Sequence, residues 1–166
     1  LAGIITDTGG FKYQGVSAET FQFVAWLLQT GVNVSNVYKK AFQIRTRSSF
    51  ELAKIAMNRL EFLEDGKVAY TYITQEDEEK VDAQSGDHEG IVEVGRDIEG
   101  VEVSIFVRQT EKGCKISLRS NDYVNVSDVC LILGGGGHPR AAGALMQGSL
   151  EQVKEKILYQ VRSQLK

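Results

Sequence analysis

Four consecutive glycines, Gly134 to Gly137, sit in the stretch Leu133-Gly-Gly-Gly-Gly-His-Pro-Arg-Ala-Ala-Gly-Ala144. Each glycine in an ordered element is disfavoured by roughly 0.5–1 kcal/mol relative to alanine, because it loses the most backbone freedom on folding. A chain that keeps four in a row needs a gain there that side chains would forbid. Flexible connectors mix glycine with serine; this run lies between Val-Cys-Leu-Ile-Leu and Ala-Ala-Gly-Ala-Leu. That setting favours a binding loop whose N–H groups, unshielded by Cβ atoms, converge on an anion. His138 adds a donor whose charge can be tuned near neutral pH, and Gly143 would let another backbone approach closely. A sharp turn without a ligand would use the same glycines, and the run by itself does not separate the two.

The balance of charge narrows the ligand. A net charge of −3 over 166 residues argues against a protein that coats nucleic acid electrostatically. Residues 61–102 hold 14 acids and 3 bases, a net of −11, whereas residues 108–148 hold 5 bases and 3 acids, a net of +2. A locally basic stretch in an acidic chain suits a small anion better than a long polyanion. No run of 18 apolar residues occurs and no secretory signal pattern is visible, so a cytoplasmic location without a membrane partner is expected. Cys114 and Cys130 are too few for a disulfide framework and read as buried small hydrophobes. Two histidines and two cysteines at unrelated spacings give no legible zinc site.

Pattern along the chain predicts an α/β fold, a mixed sheet flanked by helices. The apolar run Leu1–Ile5 reads as a buried strand, which needs neighbours on both sides and so suggests that the chain continues a longer protein. Ser17 caps a helix with the apolar stripe Phe21, Val24, Ala25 and Leu28, stopped at Gly31. A second helix is expected at about 48–60, opened by Ser48-x-x-Glu51, and a strand at 67–73 after the turn Glu64-Asp65-Gly66. The acidic run 76–82 reads as a solvated helical turn and 87–97 as a short helix. Val101, Val103, Ile105 and Val107 alternate with polar residues and Phe106, and Ile116 and Leu118 alternate with Lys115, Ser117 and Arg119. These are two strands joined near Thr110–Gly113, with Arg108, Lys115 and Arg119 on one face. A helix at 126–133, a strand at 141–147 and a final helix capped by Ser149-x-x-Gln152 complete the series.

Two further stretches can carry chemistry. Ser117-Leu-Arg119-Ser120-Asn121 puts a guanidinium fork beside a hydroxyl and an amide, a receiver for phosphate or carboxylate, although a solvated surface arginine would look the same. In Thr6-Asp7-Thr8-Gly9-Gly10-Phe11, Asp7 would end the opening strand, where it could ligate a hard cation or simply bond its own turn. His88 reads as a surface residue.

Together, "TDTGGF", "SLRS" and "GGGGHPRAAGA", in that order over essentially the whole chain, resemble the C-terminal half of a DHH-family phosphoesterase with its DHH-associated domain. The branch that hydrolyses short oligoribonucleotides and 3′-phosphoadenosine 5′-phosphate is the most similar. The resemblance implies residues 1–32 as the remnant of a catalytic domain, 33–47 as a linker and 48–166 as the substrate-binding domain. It implies two divalent cations, usually manganese, with Asp7 as one metal ligand. Substrate contacts would come from Arg119, Ser120, Gly135, Gly136, Gly137 and His138, and the partner would be a short oligonucleotide or a phosphorylated nucleotide. The Asp-His-His motif itself is absent, so this chain alone is expected to be inactive or nearly so. Three alternatives stay open: a nucleic-acid-binding module without hydrolase activity, an exopolyphosphatase or RecJ-like exonuclease, and a structural domain that forms a homodimer.

Overall fold

The computed structural model describes residues 1–12 and 15–166, which divide into two compact units, Leu1–Thr46 and Arg47–Lys166. No helix among the described residues is long and apolar enough to cross a membrane.

The first unit holds α1 (Ala2–Asp7), α2 (Ala18–Gln29) and α3 (Val34–Tyr38), the last running into a π turn at Lys39–Gln43. The Leu1–Ile5 run, expected as a strand, is therefore helical. A five-residue apolar run carries no period that separates the two, and the first unit offers no neighbouring strand among its described residues. A helix closes its own bonds, with the Ile5 N–H on the Leu1 carbonyl at 3.0 Å, and so needs no partner. The Thr8 hydroxyl donates back to the Ile4 carbonyl at 2.6 Å. Ser17 caps α2 as expected, receiving support from Thr20. Only Val24 of the expected stripe is buried; Phe21 and Leu28 are half-exposed, as are Phe23 and Trp26. The stretch read as a linker contains α3, whose cap Asn33 accepts from the Asn36 N–H at 2.9 Å.

The second unit is one six-stranded mixed sheet with helices on both faces. Its strands are β1 (Glu61–Leu63), β2 (Val68–Ile73), β3 (Val103–Thr110), β4 (Gly113–Ser120), β5 (Gly136–His138) and β6 (Ala141–Met146). They lie in the order β1-β2-β3-β4-β6-β5, antiparallel except for the parallel β2–β3 pair. That one parallel pair requires a crossover, supplied by α5 (Gln75–Lys80) and α6 (Ile91–Arg96).

Period-two alternation sends Val103, Ile105 and Val107 of β3, with Ile116 and Leu118 of β4, to one face. There they meet α7 (Val126–Ile132) through Val129 and Cys130, and α8 (Leu150–Arg162) through Val153, Ile157 and Val161. Burying each such aliphatic side chain stabilises the fold by roughly 1.5–3 kcal/mol. Burial pushes the Cys130 thiol up to about 11, so it is an inert packing group. The opposite face carries a second core, in which Ile73 and Phe106 pack against Leu52 and Ala56 of α4 (Arg47–Asn58) and Ile91 and Val92 of α6. The face that carries Arg108, Lys115 and Arg119 is thus half-covered.

Arg59, just past α4, forks onto Asp77 of α5, one arm giving Nη2–Oδ1 at 3.0 Å and the other reaching Oδ2. Burial alone would raise the Asp77 carboxyl, but Arg59 and the Thr74 N–H and hydroxyl outweigh it and hold it below the ordinary 3.8. A carboxyl depressed in the fold stabilises above its unfolded value and loses that contribution as pH falls through the folded one. Asp77→Asn should therefore lower the melting temperature at pH 7, and the gap to the parent should close below about pH 4, as read by thermal melts across pH.

Candidate functional site

The outer half of the second face is bare. Within the second unit the helices α4, α5 and α6 pack over β2 and β3, and α6 reaches β4, but no helix among that unit's described residues covers β6 and β5 there. What remains is a trough of about 680 Å³, lined by Lys112, Lys115, Ser117, Arg119, Gly136 and the run Ala141–Leu145, with Thr110 and Ile116 at its border. No carboxylate lines it among the described residues.

Register explains its shape. Arg119 pairs with Ala141, which pairs with His138, so these three form one row across β4, β6 and β5. Ser117, Gly143 and Gly136 form the next row, and Lys115 with Leu145 the one after. Alternate residues of a strand share a face. A strip almost devoid of side chains therefore runs between two rows that carry cations.

The glycines make this possible in a way the sequence did not disclose. The run is not a free loop: Gly136 and Gly137 belong to β5, the outer strand. A Cβ on Gly135 would meet the Gly143 carbonyl oxygen at 2.1 Å and Ala144 Cβ at 2.5 Å, and one on Gly143 would meet the Ile116 carbonyl oxygen at 2.7 Å. The gain that offsets their entropy is close approach of backbones along the floor of the trough.

Arg119 is held on one side. Its Nε donates to Glu93 Oε1 at 2.9 Å and its Nη1 to the Leu118 carbonyl at 3.1 Å, which leaves Nη2 for a ligand. Glu93 is placed by α6, and α6 is seated tightly: the Ser104 hydroxyl donates to the Val92 carbonyl at 2.7 Å, and a Cβ on Gly95 would meet that hydroxyl at 2.4 Å. Glu93 therefore orients the fork while opposing any incoming anion. Glu93→Gln keeps an acceptor and removes the charge, so affinity for inorganic phosphate should rise a few-fold, the scale of a half-exposed ion pair. Titration calorimetry of the variant beside the parent reads that change.

The other expected site residues divide. His138 is exposed in the same row as Arg119 but, like Gly135 and Gly137, is not among the residues that line the trough. Ser120 is buried, its hydroxyl donating to the Val124 carbonyl at 2.7 Å, and it does not line the trough. Arg140, one of the five bases of the 108–148 stretch, holds the Val124 carbonyl at 2.7 Å and the Asp122 carbonyl. Asp7 is the exposed last residue of α1 in the first unit, at a helix end and not at the end of a strand. Among the described residues no group of three or more His, Cys, Asp and Glu side chains could hold a metal. The described residues do not fit the two-cation centre implied by the resemblance.

His88 was missed. Expected on the surface, it is half-buried, its Nδ1 has no partner among the described residues, and burial followed by the nearby Arg108 holds its imidazole below the ordinary value. A lone histidine in a Gly-Asp-His-Glu loop gives no periodic signal that could have shown this.

Comparison with known proteins agrees with this architecture. The DHHA1 domain model matches residues 51–166. The chain is 35% identical over 166 residues to the bifunctional oligoribonuclease and PAP phosphatase NrnA of Thermus thermophilus, covering 99% of this chain and 49% of that protein. It is 23% identical over 143 residues to the protein of that name from Bacillus subtilis, covering 86% and 45%. The chain thus spans about half the length of the curated relatives it matches. A crystal structure of an exopolyphosphatase-related protein from Bacteroides fragilis superposes with a TM-score of 0.90 at 28% identity, covering 96% of this chain and 47% of that one. The family match takes in most of α4 and the entire sheet with its bare trough, and on that ground the chain belongs to the DHHA1 domain family.

Proposed function

We propose that this chain is the substrate-gripping part of a phosphoesterase that acts on short oligoribonucleotides or 3′-phosphoadenosine 5′-phosphate. The trough receives the ligand, with Arg119 and, from its rim, His138 on its phosphate, and with Gly136 and Gly143 as a floor that a flat base or ribose can approach. The observation that carries this is the row Arg119–Ala141–His138, which puts a guanidinium and an imidazole on one sheet face beside a strip without side chains. A fixed guanidinium fork recognises phosphate geometry. The names of the NrnA relatives supply the substrate class. Ser120 serves this site indirectly, by holding the loop behind Arg119.

Hydrolysis needs more than these residues. Asp7, given by resemblance to a divalent-metal (manganese) centre, would supply one carboxylate only, and among the described residues no group of three or more ligating side chains stands ready to hold a metal. Two buried free thiols, Cys114 and Cys130, suit a reducing cytoplasm.

Titration calorimetry with 3′-phosphoadenosine 5′-phosphate tests the reading. Arg119→Ala and His138→Ala should each weaken binding by about tenfold, the scale of one charge-assisted hydrogen bond. Unchanged affinity in both variants would overturn it in favour of a domain whose glycines only pack the sheet edge.

A further inference from the structure

His88 lies in the connection between α5 and α6, between Gly86 and Gly90, which hold φ of +95° and +81°. The 84–90 loop around it is pinned at Asp87. That carboxylate, 6% exposed, accepts the Gln84 N–H at 2.7 Å and the Ser48 hydroxyl of α4 at 2.6 Å. The Glu89 N–H closes a turn on the Gly86 carbonyl at 2.9 Å. His88 adds no such tie: its Nδ1 is buried and has no partner among the described residues. The loop runs directly into α6, the helix whose Glu93 orients Arg119.

That orphaned nitrogen decides which form of the ring the loop can hold. A neutral imidazole carries one proton, and with it on Nε2 the Nδ1 is only a lone pair. The imidazolium needs acceptors for two N–H groups, and one of them would be buried without any. The charged neighbours do not make up for this. β3 brings Arg108 and β4 brings Lys115, while α5 brings Glu78 and the loop itself Glu89. Glu78 is already committed to Arg108 at 2.8 Å, and Asp87, next in the chain, to Ser48 and Gln84. Burial first and Arg108 second hold the His88 imidazole below its ordinary 6.5. The unfolded ring takes its proton near that value, so the loop keeps its full hold above it and loses that hold as pH falls beneath it.

We infer that His88 is an acid-operated latch: its neutral ring seats the 84–90 loop, and its protonation releases that loop together with the Asp87–Ser48 tie to α4. The stimulus is a drop from neutral to mildly acidic pH, a range in which carboxylates stay ionised and histidine changes charge. His138, the other histidine of the chain, stands exposed on β5, outside this cluster. The latch does not depend on what the trough binds.

Amide hydrogen exchange on the intact chain tests this, read by NMR at about pH 7.5 and about pH 5.2 and corrected for the intrinsic pH dependence of exchange. In the parent, protection of the Gln84 and Glu89 amides should fall about tenfold at the lower pH, the scale of one unpaired buried donor. The amides of β3 and β4 should hold theirs. His88→Gln, which cannot take the charge, should show no such fall, and His138→Gln should behave as the parent does. His88→Asn repeats the comparison with a shorter uncharged side chain. A melting temperature within about two degrees of the parent at the higher pH certifies either variant as folded. In the same samples the His88 ring should titrate below 6.5 by its Cε1–H shift. A loss of protection that survives in both His88 variants, a parent loop equally protected at the two pH values, or a His88 ring that titrates above 6.5 overturns the latch.

Discussion

Replacing Glu102 with alanine should destabilise the second unit by about 3 kcal/mol or more, one of the largest losses available from a polar substitution in this chain. Glu102 is only 5% exposed, and its carboxylate is the anchor of the turn after β4. Oε1 accepts the N–H groups of Tyr123 and Val124 at 2.8 and 2.7 Å, and Oε2 accepts that of Asp122 at 3.0 Å. Truncation would leave three donors facing a cavity, and each unsatisfied buried group costs about 1–3 kcal/mol. The turn is also gripped from its other side by Ser120 and Arg140, so its loosening would reach the start of β6. Glu102→Gln keeps one oxygen able to serve two N–H groups but turns an amide N–H₂ toward the Asp122 N–H, and should lose an intermediate amount. Thermal melts should show a drop of about 10 °C for the alanine variant. A drop under 2 °C would mean that the turn is held without the carboxylate.

The second large effect separates two kinds of glycine in the same run. Gly135→Ala should destabilise by about 2–3 kcal/mol through overpacking, because the new methyl would strike the carbonyl oxygen of Gly143 and both the Cα and Cβ of Ala144. Those obstacles are mainly backbone and cannot swing away. Gly134→Ala meets nothing within 4 Å, but its φ of +84° lies where an L side chain is strained, so about 1 kcal/mol is expected. The Gly135 variant should also weaken nucleotide binding, since relief of the clash pushes β6 out of the trough floor. Equal losses for the two variants in denaturant melts would show that backbone conformation, and not close approach, explains the run.

The central hairpin was legible because its signal is local and redundant. Aliphatic residues alternate with polar ones through 101–119, and a one-residue slip would turn the whole set outward. The final helix was legible for a similar reason: Ser149 and Gln152 form the reciprocal cap, and the Val153, Ile157, Val161 stripe repeats at helical spacing. Opaque stretches were those decided by distant partners. Leu1–Ile5 is too short to carry a period. β1, only three residues long, exists because Glu61–Leu63 pairs with Val68–Tyr70 across a tight turn whose Glu64 and Asp65 adopt positive φ. β5 contains two glycines and a histidine, which no strand propensity favours; it forms because β6 offers it a backbone edge.

At the candidate site, the residue types were readable and their commitments were not. The sequence suggested Arg119, Ser120, His138 and the glycines Gly135–Gly137 as one receptive cluster. Arg119 is tethered to Glu93, 26 residues away in sequence, Arg140 and Ser120 are spent on the carbonyls of the 121–125 turn, and Lys112 and Lys115 are left without an ion pair among the described residues. Such allocation depends on which side chains the sheet register brings within about 3 Å of each other, and one-dimensional spacing carries little of that.

The most direct test is amide chemical-shift mapping of the isotope-labelled chain during titration with 3′-phosphoadenosine 5′-phosphate. If the bare half of the sheet grips a phosphorylated nucleotide, the largest shifts should fall on Ser117, Arg119, Gly136, His138 and Gly143, with Lys115 moving at the far end. Saturating shifts confined to the opposite sheet face or to the α7–α8 surface, or no shifts at all, would contradict it.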